Sequence, residues 1–473
     1  MRIQRGELFI LATMAFGVLM DGIDGSIVNV ALPAVAHSFG TDTSTVSWVT
    51  IIYFMMMAGL LLPFGRVADA GRIRRVFLAG FGVFTIGSML CALSPALAML
   101  VASRVIQGVG AAMIGAAAPM ICVKMLPSEH LGRSMGVMSL AAAAGFALGP
   151  AVGGIIVEFL SWHWIFLINI PIGVFGIVFG HFAMPREEPS MVGLDLKGSA
   201  ILFAAIVFLV LALERMSYPD VRILCLVSFV ISMALFVAFA VIEMRIARPL
   251  LDVRIFKLWR MDMTLASYTL INLVYMGVLY ILPFYMDLEM GLSSLMSGII
   301  LLIPSLFSLV MCIPVGNYSD AHGRRGFAIA SSFFMVVYTV MLYFIRPDMG
   351  LWPMVVIAAV MGIVWGLCGA TSSSRIIDNM PEREKPIGSS LMNFMVYMGG
   401  TVGTALFASL LTAGADAGGV PIEDLSSEAF LAGMQYSMIW AIGLSVISLL
   451  TAWAVNENRM KGKKNSEGVC GQA

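Results

Sequence analysis

Fourteen apolar stretches, each about as long as a bilayer core is thick, decide what this chain can fold into. A helix needs roughly 20 residues to cross about 30 Å of hydrocarbon. Inside that layer no water is at hand to satisfy an open backbone, so a crossing segment must close its own hydrogen bonds. Runs of this length do so as helices; a spanning strand needs only about 10 residues. The runs lie at about 8–33, 45–65, 75–94, 97–123, 134–158, 162–183, 196–214, 221–244, 263–287, 295–316, 325–345, 351–372, 386–412 and 430–455. With 60% of the 473 residues hydrophobic and 12% charged, the polar intervals between them are too short to fold as domains. The chain is expected to be an all-α polytopic membrane protein.

The basic residues sort in the pattern that this count requires. With both termini on the cytoplasmic side, all 28 Lys and Arg fall in inner segments except Arg215, Arg222 and Arg346, which lie outside, and Arg104, which lies within the fourth run. Short cytoplasmic loops retain Lys and Arg, and one span more or fewer would scramble the sorting downstream. The 28 acidic residues balance the 28 basic ones, so neither a nucleic-acid surface nor an acidic tail is expected. Cys91, Cys122, Cys225, Cys312 and Cys368 fall inside runs and Cys470 in the tail, with no zinc-ligand spacing, so neither a metal site nor disulfides are expected. The first run is too long, and too acidic at its middle, to be a cleaved leader. His37, His130, His163, His181 and His322 are scattered over separate loops and helix ends, which argues against an enzyme or sensor. No phosphate-binding loop occurs and no cofactor is expected, so an ion gradient would have to drive any work on a solute.

Within the runs, a few polar residues stand out. A carboxylate at bilayer depth costs roughly 2.5–3.5 kcal/mol, and the first run holds two, Asp21 and Asp24. At i and i+3 they lie about 60° apart around the helix and about 4.5 Å apart along it, so they are expected to share one environment. Carboxyls that close resist ionising together and titrate in coupled steps, which suits a carrier that exchanges protons. Arg104 cannot shed its charge and must face a partner or water. Gly145, Gly149 and Gly153 recur every fourth residue, stripping one helix face for close contact, and Pro150 removes a backbone donor there. The expectation is a close, bendable seam between two bundles. Asn29, Gln107, Asn272, Tyr275, Asn393 and Tyr397 are further polar candidates for a cavity.

A weak repeat points to two similar halves. GRVADAGRIRR, from Gly65 to Arg75, follows the second run and GNYSDAHGRR, from Gly316 to Arg325, follows the tenth. Each pairs an Asp, Asp69 or Asp320, with a basic cluster at a cytoplasmic helix end, and such repeats are what alternating-access carriers are built from. The expected units are residues 1–190 and 251–460 as six-span bundles, 191–250 as two inserted spans, and 461–473 as a cytoplasmic tail.

Taken together, these strings resemble the major facilitator superfamily and, within it, the fourteen-span drug:proton antiporters. DGSIVNVALP, from Asp24 to Pro33, is similar to that branch's first-span signature, with Ser26 where Thr is usual. RVIQGVG (Arg104 to Gly110), GFALGPAVGG (Gly145 to Gly154) and WHWIFLINIPIG (Trp162 to Gly173) follow in the expected order. Two departures stand out. Arg72 occupies the place of a loop glycine, although Asp320, Gly323 and Arg324 fit the second copy, and His163 stands where Arg is common. The resemblance implies proton coupling and substrate handling at Asp24 and Arg104, to which the spacing adds Asp21, outside the signature, and it implies a gate at Gly65, Asp69, Arg72, Asp320 and Arg324. It implies an antiporter motif at Gly145, Gly149, Pro150, Gly153 and Gly154. The implied activity is multidrug efflux of amphipathic cationic or neutral molecules by a monomer in the cytoplasmic membrane, the alternative being an exporter of one endogenous metabolite.

Overall fold

The computed structural model describes residues 5–127, 131–187, 195–216, 218–246, 259–322, 324–378, 385–416, 420 and 424–454, so the 461–473 tail lies outside it. Among the described residues the regular elements are helical: α1 Arg5–Phe39, α2 Thr43–Asp69, α3 Ile73–Ala92, α4 Leu97–Lys124, α5 Leu131–Phe159, α6 Trp164–Ala183, α7 Leu196–Glu214, α8 Arg222–Glu243, α9 Trp259–Phe284, α10 Ser294–His322, α11 Arg325–Phe344, α12 Trp352–Asp378, α13 Lys385–Gly414 and α14 Ser427–Ala454. All fourteen are long and apolar enough to cross a membrane.

Several helices outrun the apolar stretches that announced them. α1 continues past Pro33 to Phe39, and α10 and α12 run on to His322 and Asp378. Hydropathy marks where side chains turn polar, whereas a helix continues into the interface as long as its backbone bonds close. α6 breaks at Ile168, between Trp164–Leu167 and Asn169–Ala183. Pro171 explains the break: it offers no N–H to the carbonyl four residues back, at Leu167, and its ring crowds that oxygen. A π-helical turn, Tyr285–Glu289, carries α9 beyond Phe284.

Packing repeats along the chain. α1 packs on α5 and α6, α2 on α4, and α3 on α4 and α6. Eight helices later α9 packs on α13 and α14, α10 on α12, and α11 on α12 and α14. The two six-helix sets meet along α2–α13 and α5–α10, with α1 touching α9. The remaining pair, α7 and α8, pack on each other, and α7 lies against both α2 and α13.

Close approach at α1–α5 depends on absent side chains. A Cβ on Gly145 would sit 2.5 Å from the Leu19 carbonyl oxygen and 2.9 Å from the Gly22 Cα. One on Gly149 would meet the Ile23 carbonyl oxygen at 2.9 Å, and one on Gly153 the Ile27 Cγ1 at 2.7 Å. The expected seam between bundles is therefore corrected, because these three glycines seat α5 on α1 within one bundle. A spacing of four keeps them on one stripe. Gly154, about 100° further round, is the one that faces the other half. Its Cβ would lie 2.5 Å from the Ser294 carbonyl oxygen and 3.1 Å from the Leu295 Cα on α10. Gly298 of α10 in turn meets the Pro150 carbonyl.

Gly149→Val is expected to lose about 1–3 kcal/mol through overpacking, read as a lower unfolding temperature in detergent, while Gly136→Ala, with open space around its Cβ, leaves it unchanged. Equal unfolding temperatures for the two variants would contradict the tight α1–α5 contact.

Candidate functional site

α1 is unbroken through Gly22 and Gly25, so neither acid caps a helix break, and both point away from lipid. Asp24 is fully buried and faces α4 and α6. One of its oxygens pairs with Arg104 Nη1 at 2.6 Å; the other accepts from Gln107 Nε2 at 2.8 Å and Asn169 Nδ2 at 2.9 Å. Arg104, only 1% exposed, also donates from Nε to the Val49 carbonyl at 3.0 Å and from Nη1 to Gln107 Oε1 at 2.7 Å. Its guanidinium lies 4.0 Å from the centroid of the Tyr53 ring. Gln107 is held in place by donating to Ser88 Oγ at 2.8 Å. The result is a closed polar cluster, in which the carboxylate and guanidinium compensate each other's burial.

Asp21 has a different set of partners. Its oxygens accept from the Tyr53 hydroxyl of α2 at 2.8 Å and the Tyr397 hydroxyl of α13 at 3.0 Å. The two acids take different hydrogen-bond partners, because their angular offset turns them to different neighbours, although Asp24 and Arg104 still act electrostatically on Asp21. Among the described residues Asp24 has a guanidinium within salt-bridge distance and Asp21 has no cation there. Tyr53 touches both sites, with its ring under Arg104 and its hydroxyl on Asp21. Tyr397 also stacks on Phe54, centroids 6.3 Å apart.

Of the other cavity candidates, Asn29 is buried, and Asn272 donates Nδ2 to the Tyr268 carbonyl at 2.8 Å while its buried Oδ1 has no partner among the described residues. Tyr275 stacks on Trp365 at 5.2 Å, and Asn393 is half-buried. Among the described residues neither is hydrogen-bonded to Asp21 or Asp24. The sequence reading missed Tyr53, Ser88 and Asn169. Asn169 lies inside the WHWIFLINIPIG string, which offered a signal; a tyrosine or serine in an apolar run offers none.

At the cytoplasmic turn after α2, Asp69 takes Lys124 of α4 rather than a loop arginine: Nζ lies 2.6 Å from its Oδ1 and 3.1 Å from its carbonyl oxygen. Both side chains are more than a third exposed, so the pair contributes about 0–1 kcal/mol. The turn glycine is Gly71, at φ 74°, one residue before Arg72, which is exposed. Gly65 is buried against α4, where a Cβ would make only ordinary contact with Met120. Arg324 stands at the N-cap of α11; the side chain of Asp320 lies outside the described residues.

The outer ends of the two halves are joined. His37 of α1 lies 3.1 Å from Asp287 in the π-turn, and the Tyr280 hydroxyl of α9 donates to the Thr43 carbonyl at the start of α2. The loop after α7 adds to this end, with Tyr218 donating to Asp42 at 3.0 Å and Ser44 to Glu214 at 3.1 Å. At the outer turn before α6, His163 stacks on Trp162, and burial holds its imidazole below the usual histidine pKa. It is neutral near pH 7, where an arginine would be charged.

Residues 14–404 match the model of the Major Facilitator Superfamily. The chain belongs to that family. Its members are transporters rather than enzymes, and this chain is a multi-pass integral membrane protein. The riboflavin transporter RibZ of Clostridioides difficile is 29% identical over 404 residues, covering 85% of this chain and 87% of its own length. The putative multidrug resistance protein MdtD of Pectobacterium carotovorum is 28% identical over 410 residues, 86% of this chain and 87% of its own. Among solved structures, a bacterial homolog of the human lysosomal transporter Spinster, in an inward-facing conformation, superposes with a TM-score of 0.68 at 13% identity over 96% of this chain and 98% of that one. The human organic anion transporter MFSD10 gives 0.63 at 15% identity, over 95% and 100%.

Asp24→Asn would leave the Arg104 charge buried without its counter-charge, at an expected cost of about 3–5 kcal/mol in thermal unfolding. The double variant Asp24→Asn/Arg104→Gln is expected to recover much of that loss. If Asp24→Asn is as stable as the parent, the ion pair does not hold the bundle.

Proposed function

We propose that this chain is a proton-coupled transporter that exports amphipathic small molecules, cationic or neutral, by alternating access, with Asp21 as the carboxyl that exchanges its proton. The observation that carries the reading is the unequal treatment of two buried acids. Asp24 is committed to Arg104, Gln107 and Asn169, so protonating it would strand a buried guanidinium. Asp21 is faced by two neutral phenols and can gain or lose a proton, or meet a cationic solute, without breaking an ion pair. Arg104 and Asp24 then act as the frame that holds α1, α4 and α6 around the exchanging group.

In this reading residues 1–190 and 251–460 rock against each other, with both termini cytoplasmic and the chain working as a monomer in the cell membrane. The Asp69–Lys124 pair is weak enough to open and close as part of the inner gate. One charge crossing 100 mV gains about 2.3 kcal/mol, roughly a fiftyfold concentration ratio before any pH gradient is counted. The names of the MdtD relatives support multidrug export. A second reading has its own support, because RibZ is named for a single metabolite; by it the same machinery would move one endogenous compound.

In proteoliposomes, an imposed pH gradient is expected to drive efflux of a fluorescent lipophilic cation, and Asp21→Asn is expected to abolish it. Efflux that survives Asp21→Asn at the parent rate would remove this acid from the mechanism. Movement of a single compound from a metabolite panel, with no cation moved, would favour the second reading.

A further inference from the structure

Tyr397 reaches Asp21 from the opposite half of the molecule. α13 belongs to the second bundle and α1 to the first, so the 3.0 Å bond between this hydroxyl and Asp21 Oδ2 crosses the plane along which the halves separate. Tyr53, the other donor, belongs to the same half as Asp21. Asp21 therefore has one partner that travels with it and one that does not. The other charged or titratable groups acting on it are Asp24 on its own helix and Arg104 from α4; α5, covering α1 at this level, presents Ala142 and Gly145.

We propose that Tyr397 is a positioning residue that ties the proton affinity of Asp21 to the arrangement of the two halves. A phenol that donates to a carboxylate favours the ionised form, and removing it favours the protonated one. In the present arrangement the outer ends are joined and both phenols donate, which favours release of the proton. When the outer ends part, α13 withdraws from α1, Asp21 keeps Tyr53 alone, and the proton is held more firmly. Uptake is thus matched to the outward-open arrangement and release to the outward-closed one, the order an exporter driven by inward proton flow requires. Phe54, stacked on Tyr397, sets the ring's position from the first half, so the hydroxyl is withdrawn only when the stack slides.

This inference rests on the reading that Asp21 exchanges a proton. Infrared titration of the carboxyl C=O stretch, on the purified full chain in lipid, tests the two separately and needs no substrate. The Asp21 band is the one missing in Asp21→Asn; if no titrating band is lost in that variant, the proton-exchange reading fails and this proposal with it. Given the band, Tyr397→Phe is expected to raise its midpoint by about one pH unit or more, the consequence of losing one hydrogen bond to a charged group. Joining the outer ends through His37→Cys and Asp287→Cys with a bifunctional thiol reagent is expected to lower the midpoint in the otherwise native chain and to leave it unmoved in the Tyr397→Phe background. A Tyr397→Phe midpoint equal to the parent's would overturn the proposal while leaving proton exchange at Asp21 intact. Should Tyr397→Phe fail to fold, the crosslinked native chain decides alone: no change on crosslinking overturns it.

Discussion

Arg104 reaches Asp24 at the centre of the first bundle, and the arrangement of the surrounding helices follows from the need to satisfy both charges out of water. The guanidinium draws a backbone carbonyl from α2, the carboxylate draws an amide from α6, and Gln107 closes the set by bonding to both ions and to Ser88 of α3. Five helices are thereby pinned by one pair of charges. In a bilayer there is no hydrophobic force between helices to do this, because lipid is as apolar as leucine. Removing either charge leaves the other stranded, so the pair constrains the bundle more than its net energy suggests.

The second constraint is steric. α5 rests on α1 through Gly145 and Gly149, and α13 rests on α9 in the same way: a Cβ on Gly399 would lie 2.5 Å from the Asn272 Cβ, and one on Gly403 would meet the Leu273 carbonyl. These contacts put Ile23 of the first half in register with Leu273 of the second. Asp21 and Asp24 then correspond to Ile271 and Val274, both buried and apolar. The halves share a backbone plan and differ in chemistry, with the acid pair in one half and, among the described residues, a tyrosine, Tyr397, hydrogen-bonded to it from the other.

How much of this was legible beforehand differs between the elements. The spans could be read because a bilayer imposes length and apolarity on each run independently of its neighbours. Asp24, Arg104 and Gln107 could be singled out because buried polar groups are costly wherever they sit. Their partners could not. Whether Asp21 turns to Asp24, Tyr53 or Tyr397 depends on how α1 is rotated against α2 and α13, and a period of 3.6 leaves that rotation open. For the same reason the glycine stripe of α5 read as a surface for close contact, while its partner, α1 rather than the opposite bundle, was set by packing. Gly71 shows the converse. Its place in the loop pattern was obscured by a shift of one residue, and only its positive φ identifies it as the turn.

The position of the inserted pair has a consequence for how a lipid-dissolved compound meets this protein. Two lines of contact separate the halves, α2–α13 and α5–α10, and α7 lies across the first of them with α8 behind it. The second has no such cover among the described residues, and Leu148 and Ile155 of α5, with Phe307 of α10, are exposed. A molecule approaching sideways from within the bilayer thus meets a shielded edge on one flank and an unshielded one on the other, which makes the carrier's lateral exposure one-sided although its backbone is nearly two-fold.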